Sequence, residues 1–159
     1  MNKTFYILDV FAESKYAGNQ LAVVRDAADL STDEMQQIAR EMHFSETTFI
    51  LSDQPRNGGY DVRIFTVETE MPFAGHPTLG TAFLIQREII GQPVERVALN
   101  LEVGQIPVTF TYKEAQADVL WMRQIPPTFG ETCDLDTIAR TLRIAPDEID
   151  ARFPMQVVS

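Results

Sequence analysis

The sequence predicts an α+β fold in which a curved, mostly antiparallel, barrel-like sheet wraps around a central apolar helix. Two observations predict it. The chain contains many short strand-like segments, most of them connected as hairpins, and one helical segment that is apolar nearly all round. A helix of that kind is usually buried, and a sheet curled around it is the simplest way to bury it.

The predicted strands are rich in aromatic and β-branched residues and are separated by polar or glycine-containing turns. Residues 14–20 are predicted to form a loop, and Asn57-Gly58-Gly59 and Val103-Gly104-Gln105 are predicted turns. The strands are expected at residues 4–10, 21–24, 47–51, 60–66, 96–103, 106–112 and 117–122.

Two helices are predicted within this strand-rich region. The first is amphipathic, and it begins with the capping box Ser31-Thr32-Asp33-Glu34, which precedes apolar residues at helical spacing: Met35, Ile38, Ala39 and Met42. The second, apolar helix begins in Gly75-His76-Pro77-Thr78, where Pro77 suits the first helical position, and extends to Ile85. Gly80 in this helix would let neighbouring backbone approach closely.

The composition changes after Pro126-Pro127, so residues 1–127 are predicted to form the barrel-like domain and 128–159 an incomplete second domain similar to it. The second part contains a predicted helix at 135–142, a turn of helix at 145–148 and a strand at 153–158. Residues 37–42 and 137–142 share the triplet Ile-Ala-Arg, which fits either a true repeat or chance.

The acidic composition restricts the classes of partner. The chain has 13 basic and 23 acidic residues and a formal net charge of −10, which argues against nucleic acids and anionic membrane surfaces as main partners. A single cysteine, Cys133, excludes an intramolecular disulfide and a multi-thiolate zinc site. There is no signal peptide pattern and no run of about 18–20 apolar residues, so a cytoplasmic protein is expected.

Two segments carry residues suited to chemistry. Glu46 lies where a loop meets an apolar strand, a position in which a carboxylate can serve as acid or base; it can equally be a solvated glutamate. The backbone N–H groups of Gly75, His76 and Thr78 at a helix start can bind a carboxylate or phosphate, although an ordinary helix start also fits. Asn19 is either a turn residue or an amide donor to a substrate.

The remaining candidates favour structural roles. Asp9, Glu68 and Glu70 are interpreted as structural or solvated acids, Trp121 as a core residue, and Cys133 is not expected to be a nucleophile. The sequence contains no glycine-rich phosphate loop, metal-binding motif or serine nucleophile motif, so no NAD, metal or other cofactor is expected. Proton transfer by side chains alone is then the most direct chemistry.

Taken together, these motifs resemble the phenazine-biosynthesis PhzF-like family, which has the diaminopimelate-epimerase fold. The resemblance covers nearly the whole chain but only about the first half of a family member. The stretches that carry it are Asp9-Val10-Phe11, Gly18-Asn19, Phe44-Ser45-Glu46-Thr47-Thr48-Phe49, Arg63-Ile64-Phe65-Thr66 and the long segment from Glu70 to Ala82, which includes Gly75-His76-Pro77-Thr78. Two positions depart from it, since family members often have proline where this chain has Gln20 and Val67.

The resemblance implies two similar domains with the active site between them, and a cofactor-independent isomerase that is expected to be a homodimer. Glu46 would take the place of the catalytic acid/base and move a proton on a small carboxylate substrate. Asn19 and the segment Gly75, His76, Pro77 and Thr78 would bind that substrate. The family's second domain supplies an aspartate and a Gly-Thr-Gly-Ser-like loop, which nothing here matches.

Two other functions stay open. The chain can be a truncated, non-catalytic half that binds a ligand or a partner chain. It can also be an amino-acid racemase or epimerase of the same fold, although those enzymes use two facing thiols and this chain has Glu46 at the acid/base position.

Overall fold

The computed structural model describes residues 2–150 and 152–158, and the chain divides into two compact units between Gln124 and Ile125. The strands of the first unit are β1 (Phe5–Val10), β2 (Asn19–Val24), β3 (Glu46–Ile50), β4 (Tyr60–Phe65), β5 (Glu70–Met71), β6 (Arg96–Leu101), β7 (Gly104–Lys113) and β8 (Gln116–Met122). Its helices are α1 (Thr32–Met42) and α2 (Gly75–Leu84), and α2 continues into a π-helical segment, Ile85–Ile90.

The strands form one curled sheet in the order β1-β2-β3-β4-β6-β7-β8, and β5 pairs with β4. The pairs β2–β3 and β4–β6 are parallel, and the other strand pairs described for this sheet are antiparallel. The predicted α+β class with a mostly antiparallel sheet is therefore confirmed. The predicted turn at residues 57–59 is also confirmed, because Asn57 and Gly58 have φ of 52° and 82° and Arg56 pairs with Gly59.

Helix α2 lies inside the curl of the sheet, in contact with β1, β2, β3, β6 and β8. Its buried residues are His76, Pro77, Thr78, Gly80, Thr81, Ala82 and Leu84. A methyl group at Gly80 would lie only 2.6 Å from Leu21 Cδ2 and 2.7 Å from Val10 Cγ2. The predicted central helix is thus confirmed, and Gly80 is what lets β1 and β2 pack this closely against it.

Helix α1 lies on the opposite face of the sheet, in contact with β3 and β4. Met35 and Ala39 pack with Val24, Phe49 and Phe65 in a second, smaller hydrophobic cluster. The capping box forms as predicted: the Glu34 N–H donates to Ser31 Oγ at 3.2 Å, and the Ser31 N–H donates to Glu34 Oε2 at 2.8 Å. Each end of the helix is therefore fixed locally, since the chain also leaves it through a left-handed residue, His43.

Several details differ from the prediction. Strands β2 and β3 begin earlier than expected, so Asn19 and Glu46 are themselves strand residues; the short β5 and the π-helical segment were not predicted. The core assignment of Trp121 is wrong, because this side chain is 67% exposed. Side chains alternate along β8, so Leu120 and Met122 pack against the core while Trp121 faces the other side.

The second unit contains β9 (Phe129–Thr132), α3 (Leu135–Leu142), a 3₁₀ turn (Pro146–Glu148) and β10 (Gln156–Val158), which pairs antiparallel with β9. The predicted helix is confirmed, the last strand is shorter than predicted, and β9 was not predicted. That this unit begins a second copy of the first domain stays a prediction. Within the described residues of the whole chain, no helix has the length and apolarity required to cross a membrane.

Candidate active site

Three elements begin at one edge of the first unit. Strands β2 and β3 are parallel neighbours with Leu21 opposite Glu46, so their first residues lie at the same edge of the sheet. Helix α2 also begins there, because Gly80 packs against Leu21 and the first turn of the helix contacts the strand starts. This arrangement brings together Asn19, Glu46 and His76, which the sequence separates by up to 57 positions.

Glu46 and His76 face each other at this edge. Glu46 Oε2 and His76 Nε2 lie 3.4 Å apart, and the two side chains are only 19% and 9% exposed. The distance is within ion-pair range, yet the directions do not complete a hydrogen bond, and neither atom has a partner among the described residues. Leaving a buried polar atom unpaired costs about 1–3 kcal/mol, and a polar group placed between these two atoms would remove that cost.

Asn19 fixes the other side of the histidine ring. Its Nδ2 lies 3.4 Å from His76 Nδ1. An amide nitrogen only donates, so Nδ1 acts as the acceptor, and in a neutral imidazole the ring proton then lies on Nε2. In that tautomer the Nε2 proton lies near Glu46 Oε2, 3.4 Å away, without completing a hydrogen bond to it.

The N-terminus of α2 has no side-chain cap. Its N-cap residue is Ala74, and the first turn holds no acidic residue. Pro77 is the third helical residue, not the first as predicted, because the helix already begins at Gly75. The first three positions lack an intrahelical acceptor in any case, so the missing N–H of Pro77 costs nothing there.

The backbone N–H of Thr78 is not free, in contrast to those of Gly75 and His76. Its N–H donates to Ala74 O at 3.4 Å and its hydroxyl donates to the same oxygen at 2.7 Å. The prediction of a free Thr78 N–H is therefore wrong, since the fourth residue of a helix already has an acceptor in the N-cap carbonyl. The N–H groups of Gly75 and His76 precede the first intrahelical acceptor, so they can bind an anion next to the partial positive charge of the helix end.

A buried contact missed by the sequence analysis ties β3 to α2. Thr48 Oγ1 and Thr81 Oγ1 are 2.8 Å apart, and both side chains are fully buried. A threonine on an otherwise apolar strand and another within an apolar helix were the available signals, but nothing local indicated that they pair.

A cavity of about 350 Å³ opens beside this edge. Asn19 lies in its wall with Ser45, the residue before Glu46, and the other lining residues are Asp9, Tyr16, Gly18, Gln20, His43 and Phe44. The acids interpreted as structural fit that role where their contacts are described, since Glu70 accepts two hydrogen bonds from Arg63. Cys133 lies in the second unit and is half-buried.

Comparison with known proteins gives one consistent result. The family model for phenazine biosynthesis-like proteins, PhzC-PhzF, matches residues 8–159. The trans-2,3-dihydro-3-hydroxyanthranilate isomerases of Pseudomonas chlororaphis and Pseudomonas fluorescens are 37% and 38% identical to this chain, and each match covers 96% of the chain and 52% of the relative. The chain therefore spans about half the length of the curated relatives it matches.

Solved structures with a similar fold point to the same family. A predicted epimerase of Pseudomonas aeruginosa superposes with a TM-score of 0.86 at 32% identity, over 99% of this chain and 56% of that protein. A PhzF-family phenazine biosynthesis protein of Bacillus anthracis superposes with a TM-score of 0.79 at 26% identity, over 100% of this chain and 53% of that one. These similarities confirm the resemblance and the fold, and the chain belongs to the PhzC-PhzF family of phenazine biosynthesis-like proteins.

Proposed function

We propose that the protein is an isomerase that needs no cofactor and moves a proton on a small carboxylate substrate, with Glu46 as the acid/base. The observation that supports it most directly is the buried pair Glu46 Oε2 and His76 Nε2, both without hydrogen-bond partners among the described residues. The names of the relatives, which are isomerases, support the same reaction class.

In the proposed reaction, the substrate carboxylate accepts hydrogen bonds from the N–H groups of Gly75 and His76 at the helix end. The Glu46 carboxylate takes a proton from one carbon, and the electron pair of the broken C–H bond moves into the conjugated system. Glu46 then returns the proton to another carbon, so a new C–H bond forms with no net oxidation or reduction. His76 donates from Nε2 to a substrate oxygen, and Asn19 keeps that tautomer.

The proposed substrate class follows from the open helix end and from the relatives. Their substrate, trans-2,3-dihydro-3-hydroxyanthranilate, is by name a cyclic carboxylate. We propose that this protein also acts on a cyclic or amino-acid-like carboxylate. Since the chain spans about half of each relative, the proposal concerns the protein that the native gene encodes.

The test is turnover in D₂O, with trans-2,3-dihydro-3-hydroxyanthranilate as the probe and NMR of the product as the readout. We expect product formation, with deuterium at the carbon that receives the proton wherever the protonated Glu46 exchanges with solvent before it returns the proton. Glu46→Gln should lower the rate by about a hundredfold or more, because the amide cannot exchange a proton. The control is Glu41→Gln, which changes an exposed glutamate on α1 and should leave turnover as it is.

The other outcomes favour other functions. Normal turnover by Glu46→Gln would overturn the assignment of the acid/base. Binding of the probe without any product formation would favour a ligand-binding protein without catalysis. Deuterium at a stereocentre with inverted configuration would favour an epimerase of the same fold. A homodimer and a cytoplasmic location stay predictions.

A further inference from the structure

The buried hydroxyl pair of Thr48 and Thr81 has no role in the proposed chemistry. Its oxygen atoms lie 2.8 Å apart between β3 and α2, and both residues are fully buried. Among the described residues, two side-chain hydrogen bonds join α2 to the sheet: this one and the bond from Asn19 to His76. Two valines would fill nearly the same volume, so packing alone does not account for the hydroxyl groups.

The pair lies directly behind the candidate site. Thr48 follows Glu46 by two residues, and alternate residues of a strand face the same side. Thr81 follows His76 by five residues on α2. Two residues of strand span about 6.6 Å and five residues of helix about 7.5 Å. The contacts Glu46–His76 and Thr48–Thr81 therefore join the same two elements, β3 and α2, at two positions along their length.

The contact between Glu46 and His76, nearer the edge of the sheet, is not held by a hydrogen bond of its own. Glu46 Oε2 and His76 Nε2 are 3.4 Å apart but do not complete a hydrogen bond. Their separation is then set by how α2 packs against the sheet, together with the contact from Asn19 to His76. Apolar packing is non-directional, whereas a hydrogen bond has a preferred length and angle. The bond between Thr48 and Thr81 therefore restricts sliding of α2 along β3.

We infer that Thr48 and Thr81 are positioning residues: their hydrogen bond fixes the register of α2 against β3 and thereby places Glu46 against the helix end. The inference rests on the proposed function. Small displacements of a reacting group can cost large factors in rate, so loss of this bond should affect kcat more than substrate binding.

The main test is Thr48→Val, which keeps the shape and removes the hydroxyl. With trans-2,3-dihydro-3-hydroxyanthranilate in D₂O, we expect kcat to fall about tenfold while KM changes less than about twofold. Thr48→Ser, which keeps the hydroxyl, should restore kcat to near the wild-type value. Thr81→Val should match Thr48→Val, and the double variant should be no worse than either single one, because both remove the same bond.

Thr47→Val is the matched control. Thr47 is the neighbouring residue, it is also fully buried, and its hydroxyl has no partner among the described residues. The same substitution there should leave kcat unchanged. A Thr48→Val variant with wild-type kcat, or a Thr48→Ser variant that is no better than Thr48→Val, would overturn the inference.

A second readout needs no substrate. The chain has two histidines, so the ¹⁵N signals of His76 can be compared with those of His43 as an internal reference. Thr48→Val and Thr81→Val should shift the His76 ring signals and leave His43 in place; unshifted His76 signals would overturn the inference. If Glu46→Gln keeps full activity, the proposed function fails independently of the positioning result.

Discussion

The helices α1 and α2 are nearly equal in length, with 11 and 10 residues, but they begin in opposite ways. The N-terminus of α1 is closed by reciprocal hydrogen bonds between Ser31 and Glu34. The N-terminus of α2 has an alanine at the cap position and no acid in its first turn. Helix α1 is buried on one face, whereas α2 is surrounded by the sheet.

The difference shows where each helix obtains its stability. Short helices need local caps or tertiary packing; α1 combines its caps with packing of one face, whereas α2 lacks an N-terminal cap and is held by the core around it. Because packing stabilises α2, its first N–H groups can stay open for a ligand. The uncapped end of α2 lies at the candidate site, next to Asn19 and Glu46, whereas the cap of α1 serves that helix alone.

Giving α2 a cap like that of α1 should have the largest effect. In Ala74→Asp, the new carboxylate would accept the His76 N–H, since Pro77 has none to donate. We expect the melting temperature to rise, while kcat/KM falls about a hundredfold because the carboxylate competes with the substrate for the same donor. Thermal unfolding and turnover are measured on the same samples.

The control for that substitution is Ala145→Asp. Ala145 is also an N-cap without a side-chain hydrogen bond, but it precedes the 3₁₀ turn of the second unit. It should leave turnover unchanged. An Ala74→Asp variant that is more stable and fully active would show that the open end of α2 has no part in the reaction.

Disrupting the packing around α2 should have the next largest effect. In Gly80→Val, the Cβ atom would lie within 2.7 Å of buried side-chain carbons of Leu21 and Val10. We expect a loss of about 1–3 kcal/mol in the free energy of unfolding, measured with urea. Gly75→Ala should cost less, because its Cβ would meet only Met122 Cε, at 3.3 Å.

Removing the cap of α1 should have a smaller effect, on stability alone. Ser31→Ala removes the acceptor for the Glu34 N–H and should lower the free energy of unfolding by about 1 kcal/mol. Turnover should not change, because α1 lies on the opposite face of the sheet. Ser14→Ala, at an exposed loop position, serves as the control. A loss of activity without a loss of stability would contradict the structural role of this helix end.

The smallest effect is expected in the pH dependence of stability. The Ser31 backbone N–H and then its hydroxyl lower the pKa of Glu34 below its ordinary value. A lowered folded-state pKa means that the stabilisation is complete above the unfolded-state pKa and disappears as the pH falls through the folded-state pKa. Melting temperatures between about pH 6 and about pH 3 should fall less steeply in Glu34→Gln than in wild type. Equal slopes would contradict the contribution of Glu34.

Helix α3 repeats the local design of α1. The triplet Ile-Ala-Arg lies at the same distance from the C-terminal end of both helices, with Ala39 and Ala139 buried. In each helix the chain leaves through a left-handed residue, His43 or Arg143, whose N–H donates to the carbonyl of that alanine. Short-range chemistry explains this similarity, and a true repeat stays a prediction.

The sequence by itself determined the local features of this protein. It predicted the capping box of α1, the turn at residues 57–59, the burial of α2 and the fold class, because periodicity, capping and turn chemistry act between near neighbours. It also singled out Glu46, His76 and Asn19 by residue type and by their resemblance to a family.

Only the tertiary structure decided which of these residues meet. The parallel pairing of β2 and β3 and the place of α2 inside the sheet bring Asn19 and Glu46 to His76. The same packing pairs Thr48 with Thr81 and turns Trp121 outward. Strand register and helix position arise from the sum of many distant contacts, so no segment of the sequence specifies them alone.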